Sequence, residues 1–327
     1  MGTSPSEFDL IGRFFSLGVT SHWSSQGIGD DCAILKVGDS TLAITVDTTA
    51  LGTHFLLDAN PQTVGFKALA VNLSDLAAAA STPRAFFLAI SLPEVDEAWL
   101  AGFSAGLKQA AELYGCALLG GDTTKSTFVG DIRAPSTMTI TALGEVTRRA
   151  LTRQGAQLGD DIWVSGTVGD AYAALMMRTH VWSEKVTPYL ANRMDLPTPR
   201  VQLGQTLLSE VASACADVSD GLLQDLGHIL ERSNVGAKLF IDAPAVSDDL
   251  ALFDQQRRRH AQWAGGDDYE LVFTASPSHR ARIVEWSELN HLPLSRIGEV
   301  VADGVEFFDK DGLEVKADFK GFDHFRE

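Results

Sequence analysis

Cysteine is scarce in this chain. Three occur in 327 residues, Cys32, Cys116 and Cys215, and no two form a CxxC pair. Thiols so few, so distant and odd in number exclude a disulfide scaffold and a structural zinc site, and fit a reducing, cytoplasmic setting. Positive charge is short as well. The 26 Lys and Arg against 43 Asp and Glu leave a formal net charge of −17, which argues against non-specific binding to nucleic acid or to an anionic membrane. No long hydrophobic run exists. The longest, from Ala68 to Ala80, is broken by Asn72, Ser74 and Asp75, so no segment is expected to span a bilayer. A basic stretch leading into an apolar one is missing near the start, so no secretory signal is expected. Met1 to Ser6 formally matches a myristoylation pattern, but no polybasic segment follows it.

The familiar catalytic and phosphate-binding signatures are absent too. There is no GxxxxGK[ST] loop, no HRD…DFG set, no GxSxG elbow, no HExxH and no EF-hand loop. Gly27-Ile28-Gly29 runs into Asp30-Asp31-Cys32, which leaves a dinucleotide fingerprint incomplete.

What the chain does have is a series of aspartates beside small residues. They are Gly29-Asp30-Asp31, Val46-Asp47-Thr48, Ser74-Asp75, Gly120-Gly121-Asp122-Thr123, Asp217-Val218-Ser219-Asp220-Gly221 and Gly265-Gly266-Asp267-Asp268. Carboxylates on backbone that can approach an anion closely are hard oxygen ligands, suited to holding Mg²⁺ against phosphates. Each ion usually takes only one or two carboxylates, so this many suggest several ions. A single Gly-Asp turn is ordinarily a surface turn; the case rests on six, most of them flanked by buried-strand sequence. Asp75 is the sharpest, because it lies in an Ala-rich helix where an unpaired carboxylate is expensive. Asp220 has a second reading as a helix cap. Asp31 and Asp268 adjoin stronger candidates.

Length predicts two domains, and 45% apolar residues supply ample core. The boundary is placed before Gly155, giving units 1–150 and 151–327. In the first, strands are expected at 32–37, 41–47, 84–92, 116–119 and 137–146, with helices at 62–80 and 96–114. In the second, strands are expected at 161–166, 237–242, 269–274 and two within 294–308. Helices are expected at 168–179, 200–214, 222–232 and 278–290. Both halves are α/β (α+β), with strands ending in Gly/Asp turns, where such proteins bind ligands.

These motifs, in this order, resemble the thiamine-monophosphate kinase family, within the wider aminoimidazole ribonucleotide synthetase-like ATP-binding superfamily. The likeness runs from Glu7 to the Gly321-Phe322-Asp323-His324-Phe325 tail. It implies ATP-dependent phosphorylation of thiamine monophosphate to thiamine diphosphate, by direct Mg²⁺-assisted in-line transfer. It also implies a homodimer whose N-terminal mixed sheets pair into a barrel, with ATP and metals in a cleft between domains. Carried over, Asp30, Thr45, Asp47, Asp75, Asp122, Asp217 and Asp220 match the family's Mg²⁺ ligands. Gly121, Asp122, Arg149 and Ser219 match nucleotide contacts; His54, Asp267 and Phe319 match contacts to the thiamine side. Three positions depart from the pattern: Val46 replaces a hydroxyl residue, Asp267 replaces a glutamate, and Phe319 replaces a tryptophan. The attacking group would be a phosphate oxygen that is already ionised, so no catalytic base or nucleophile is assigned. The selenophosphate branch would need a reactive Cys near a Lys, and the hydrogenase-maturation branch a C-terminal Cys; this chain supplies neither. An acidic, non-catalytic metal-binding protein is the reading from a different class.

Overall fold

The computed structural model describes residues 7–15, 21–129, 132–317, 319 and 321–322. Asp323, His324 and Phe325 lie outside that set.

Alternating Thr, Met, Thr, Ile, Thr gives a strand with one buried and one open face. That strand, Thr137–Glu145 (β8), sits mid-sheet with Ser24–Gln26 (β1), Ala33–Val37 (β2), Ser40–Ala50 (β3), Thr82–Leu92 (β4) and Ala117–Lys125 (β5). The order is β1-β2-β3-β8-β4-β5, antiparallel except for β4 and β5. The parallel pair needs a crossover, which the Glu97–Tyr114 helix provides. That helix is capped by the Asp96 side chain and stopped by left-handed Gly115. A small hairpin, Phe128–Val129 (β6) with Ile132–Arg133 (β7), lies outside the sheet.

Beneath the sheet lies the Pro61–Ala78 helix, capped by Asn60 and started by Pro61. It meets the Glu97–Tyr114 helix at near backbone contact. A Cβ on Gly65 would fall 1.9 Å from the Phe103 carbonyl, and one on Gly106 1.7 Å from that of Gln62. The sheet's other face is bare. The side chains of Val46 and Phe87 stand exposed on it, and every residue of β5 is open.

The second sheet is built from Asp161–Ser165 (β9), Ala212–Asp217 (β10), Gly236–Phe240 (β11), Leu271–Ala275 (β12), Leu294–Val301 (β13), Val305–Phe308 (β14) and Glu314–Val315 (β15). Its order is β10-β12-β9-β13-β11-β14-β15, with only β11 and β14 parallel. β9 and β12 are buried at every position. Trp163, Cys215 and Phe273 on one face join the core around Leu69 and Leu73 of the Pro61–Ala78 helix. Ile162, Ala216 and Val272 on the other face pack with Leu222 and Leu226 of the Leu222–Ser233 helix. The Pro61–Ala78 helix is therefore wedged between the two sheets and buried along nearly its whole length.

Two expectations are corrected. The residues 116–119 do not form a short buried strand that ends in a turn; β5 continues through Gly120-Gly121-Asp122 and is exposed throughout. The stretch 200–214 is helical only to Val211, after which β10 begins. Helices at Pro188–Asp195 and Gln255–Ala264 were not anticipated. Among the described residues no helix is long and apolar enough to cross a membrane.

Candidate active site

Where the two halves meet lies a cavity of about 730 Å³. Its floor is one stripe of the Pro61–Ala78 helix. Lys67, Val71 and Asp75, spaced four apart, share a face and all three line the cavity.

Asp75 anchors the acidic end. Its Oδ2 accepts the Thr45 hydroxyl at 2.5 Å, and its carboxyl hydrogen-bonds that of Asp47. Ligand oxygens of Asp31, Asp75 and Asp217 lie within 4.8 Å of one another. Burial, and then the charges of Asp47, Asp217 and Asp31, push Asp75 well above the usual carboxylate range. Asp217, at the end of β10, is raised by burial and then by Asp31. Burial also raises Asp31, although Arg153 opposes the shift from Nε at 2.9 Å and Nη2 at 2.6 Å. Asp30 takes the Arg153 amide and the Gln26 side chain; burial, then Asp31, lifts it to about 7. These oxygen donors repel one another, and burial together with that repulsion raises their affinity for protons. A hard divalent cation such as Mg²⁺ fits that donor set, because binding it would release the protons and remove the repulsion.

Two loops from the second half close the cavity. In the turn 217–221, Asp225 Oδ2 accepts three consecutive amides, those of Ser219 at 3.0 Å and of Asp220 and Gly221 at 3.1 Å each. Burial, then Asp220, raises Asp225 to about 8. A side-chain carboxylate thus fills the anion site at the start of the Leu222–Ser233 helix. The Ser219 carbonyl is taken by the Asp267 amide at 2.7 Å, and Ser219 lines the cavity. In the turn 265–270, Asp267 and Tyr269 adopt φ of 73° and 53°, the left-handed region that non-glycine residues rarely enter. Asp268 caps the Asp170–Arg178 helix through the amides of Gly169 and Ala171, which makes it structural. Glu270 is fully buried between Arg193, Arg200 and Ser165.

Residues 29–146 match the AIR synthase related protein N-terminal domain, and 157–310 match its C-terminal domain. The thiamine-monophosphate kinase of Salmonella typhimurium is 44% identical over 330 residues, 98% of either chain. The crystal structure of thiamine-monophosphate kinase from Stenotrophomonas maltophilia superposes with a TM-score of 0.76 at 41% identity, covering 95% of this chain and 98% of that one. The chain belongs to the thiamine-monophosphate kinase family. A more distant family structure, AaThiL complexed with AMPPCP and TMP, is 30% identical with a TM-score of 0.82, over 98% and 97% of the two chains.

Of the positions that match the family's motifs, Asp30, Thr45, Asp47, Asp75, Asp217, Ser219, Asp220, His54 and Asp267 line the one cavity. His54 is oriented by the Ala50 amide, which donates to its Nδ1 at 3.0 Å. Gly121, Asp122, Arg149 and Phe319 do not line it. Asp122 pairs across the sheet with Ala89, then Thr139 and Thr48, in register with the bare face and opposite to Asp47 by strand alternation. Arg149 is exposed and donates to the Ala212 carbonyl. Phe319 is half-buried behind the wall, edge-on to Phe307 at 5.4 Å and 6.5 Å from His260. The Val46 side chain also points to the bare face, 59% exposed.

Several family-site neighbours escaped the sequence reading. Arg153 and Lys67 meet their carboxylates only through folding, from 122 and 200 residues away. Tyr172 and His260, 5.6 Å apart, supply rings at the cavity's far end; nothing in their local sequence marks them.

Proposed function

We propose that this chain transfers the γ-phosphoryl group of ATP to thiamine monophosphate, giving thiamine diphosphate and ADP. The observation that carries this reading is the cavity's polarity. Partly to fully buried, mutually repelling aspartates stand at one end, and rings with a charged Lys67–Asp267 pair stand at the other. The family's activity, and the AMPPCP and TMP held by AaThiL, support the choice of substrates.

When bound, Mg²⁺ would neutralise the phosphates of two polyanions that otherwise repel. Asp31, Asp75 and Asp217 would hold it, with Asp30, Thr45, Asp47 and Asp220 around them. Ser219 faces the nucleotide, while His54 and Asp267 face the thiamine side. The acceptor oxygen is already ionised near neutrality, so the residues here align and hold rather than abstract a proton. The transfer is read as direct, in line and without a phosphoenzyme.

Residues 1–150 and 151–327 are read as the two functional domains, working in the cytoplasm without nucleic acid or membrane as partner. The bare face of the first sheet favours a homodimer. A second copy laid over β5 would cover exposed Leu118 and Leu119, pair the sheets as a barrel, and give Gly121 and Asp122 a ligand to meet. Incubation with ATP, Mg²⁺ and thiamine monophosphate tests the whole reading. Thiamine diphosphate is the expected product; ADP formed only with some other acceptor would overturn it.

A further inference from the structure

Lys67 is a lysine on a helix buried between two sheets, with its side chain 7% exposed. Its Nζ lies 2.5 Å from Asp267 Oδ2, 200 residues along the chain. Lys67 and Asp75 stand eight residues apart on one stripe, about 12 Å along the axis. One helix thus gives the cavity a cation at one end and a carboxylate at the other. Asp267 is held from several sides. Its amide is fixed to Ser219, its φ lies in the left-handed region, and Tyr269 hydrogen-bonds its side chain. Gly266 lies too close to Ser219 for any side chain: a Cβ there would be 2.3 Å from its carbonyl. The main chain is therefore closely packed against the 217–221 turn at the residue before Asp267. An aspartate, one methylene shorter than the glutamate the family resemblance implies, cannot reach out by itself.

We propose that Lys67 is a positioning residue for acceptor recognition: it fixes the Asp267 carboxylate so that the oxygen acceptor sites it leaves open meet an amino group of the acceptor's ring. This rests on the function proposed above. An ionised carboxylate has about four lone-pair sites, of which a lysine takes one. The pair also keeps Asp267 from turning toward cations at the Asp75 end, and so separates acceptor recognition from metal binding. Lys67 touches no reacting atom in this scheme and acts through Asp267.

The test is a double-mutant cycle on the full chain with K67M, D267N and the pair, plus K67R, measuring KM for thiamine monophosphate, KM for ATP and the Mg²⁺ dependence. K67M is expected to raise the thiamine monophosphate KM by about tenfold, with the KM for ATP and the Mg²⁺ requirement within about twofold of wild type. K67R should recover part of the loss, and the double variant should be no worse than the worse single one. An unchanged thiamine monophosphate KM, an equal rise for both substrates, or additive losses would overturn the role. If K67M unfolds at the assay temperature, K67R and D267N carry the same readout. Wild type that forms no thiamine diphosphate would sink the function reading and this role with it; active wild type with an indifferent Lys67 sinks only the latter.

Discussion

Two sets of carboxylates in this molecule are treated in opposite ways. In the second sheet, Asp161 is gripped by Arg280, through Nε at 2.5 Å and Nη2 at 2.7 Å, and by Arg296. Burial pushes Asp161 up, but the two guanidinium groups outweigh it and the net shift is downward. Glu270 is likewise enclosed by Arg193, Arg200 and Ser165. In the cavity, Asp31, Asp75 and Asp217 crowd together, Arg153 donates to Asp31, and all three are raised. The chain is short of cations, and it places its arginines on the acids that hold sheet and loop together. Where they are left crowded, the compensation must come from outside, and this is what marks the cavity as the working part of the molecule.

The contrast breaks most sharply by neutralising one acid of each set. Asp217→Asn should lower turnover by about a thousandfold or more, since a cation ligand in a phosphoryl-transfer site is lost. It should leave the thermal midpoint at or above wild type, because like-charge repulsion is relieved. Steady-state kinetics beside a melting curve decide this; near-normal turnover or a marked fall in the midpoint would dissolve the distinction. Glu270→Gln should do the reverse. It strips the charge from a buried partner of two arginines, and loss of such a pairing costs about 3–5 kcal/mol. Denaturant titration should show that loss, and an unchanged midpoint would mean that the cluster is not structural.

Much of the acidic end could be read from sequence, and the reasons are local. Asp75 stood out because a carboxylate inside Ala-rich helix needs a partner, and Asp217 because it opens the small-residue turn Asp217-Val218-Ser219-Asp220-Gly221. The partners could not be read, since Arg153 and Lys67 find Asp31 and Asp267 only through the fold. Nothing local marks Asp225 within its helix, yet it holds three amides of the turn before it. β10 was hidden because Ser213-Ala214-Cys215-Ala216 has no β-branched residue and follows an apolar helical run. Asp122 was legible as a motif, but its place on an exposed strand depends on sheet order, which no local pattern encodes.

The two sets also predict opposite responses to pH. Raised carboxyls bind more protons folded than unfolded, so without cations they cost stability as pH rises from the ordinary value of 3.8 toward about 7, where Asp30 titrates. Asp161 is lowered, so its contribution is present above about pH 4 and fades as pH falls through its folded value. At a fixed concentration Mg²⁺ should therefore raise the melting midpoint more at pH 8 than at pH 5; where it stands at a hundred times its dissociation constant it contributes about 2.7 kcal/mol of stability. Asp161→Asn should flatten only the acid limb. A Mg²⁺ effect independent of pH would mean that the crowded acids do not hold the ion.

The smallest effect sharpens the contrast at the ring-lined end. Phe319 packs against Phe307 and stands behind His260 instead of lining the cavity, so it reaches an acceptor only by steadying that ring. Phe319→Ala should raise the KM for thiamine monophosphate by about threefold and leave that for ATP unchanged, a fraction of a tenfold step. It should also cost about 1–3 kcal/mol, less than a fully buried phenylalanine because the side chain is only half covered. Kinetics with each substrate varied in turn, set against a denaturation midpoint, separate the two consequences. A loss shared equally between ATP and thiamine monophosphate would show that the ring supports the whole second domain, and the division of the cavity into an acidic end and a ring-lined end would then fail at this position.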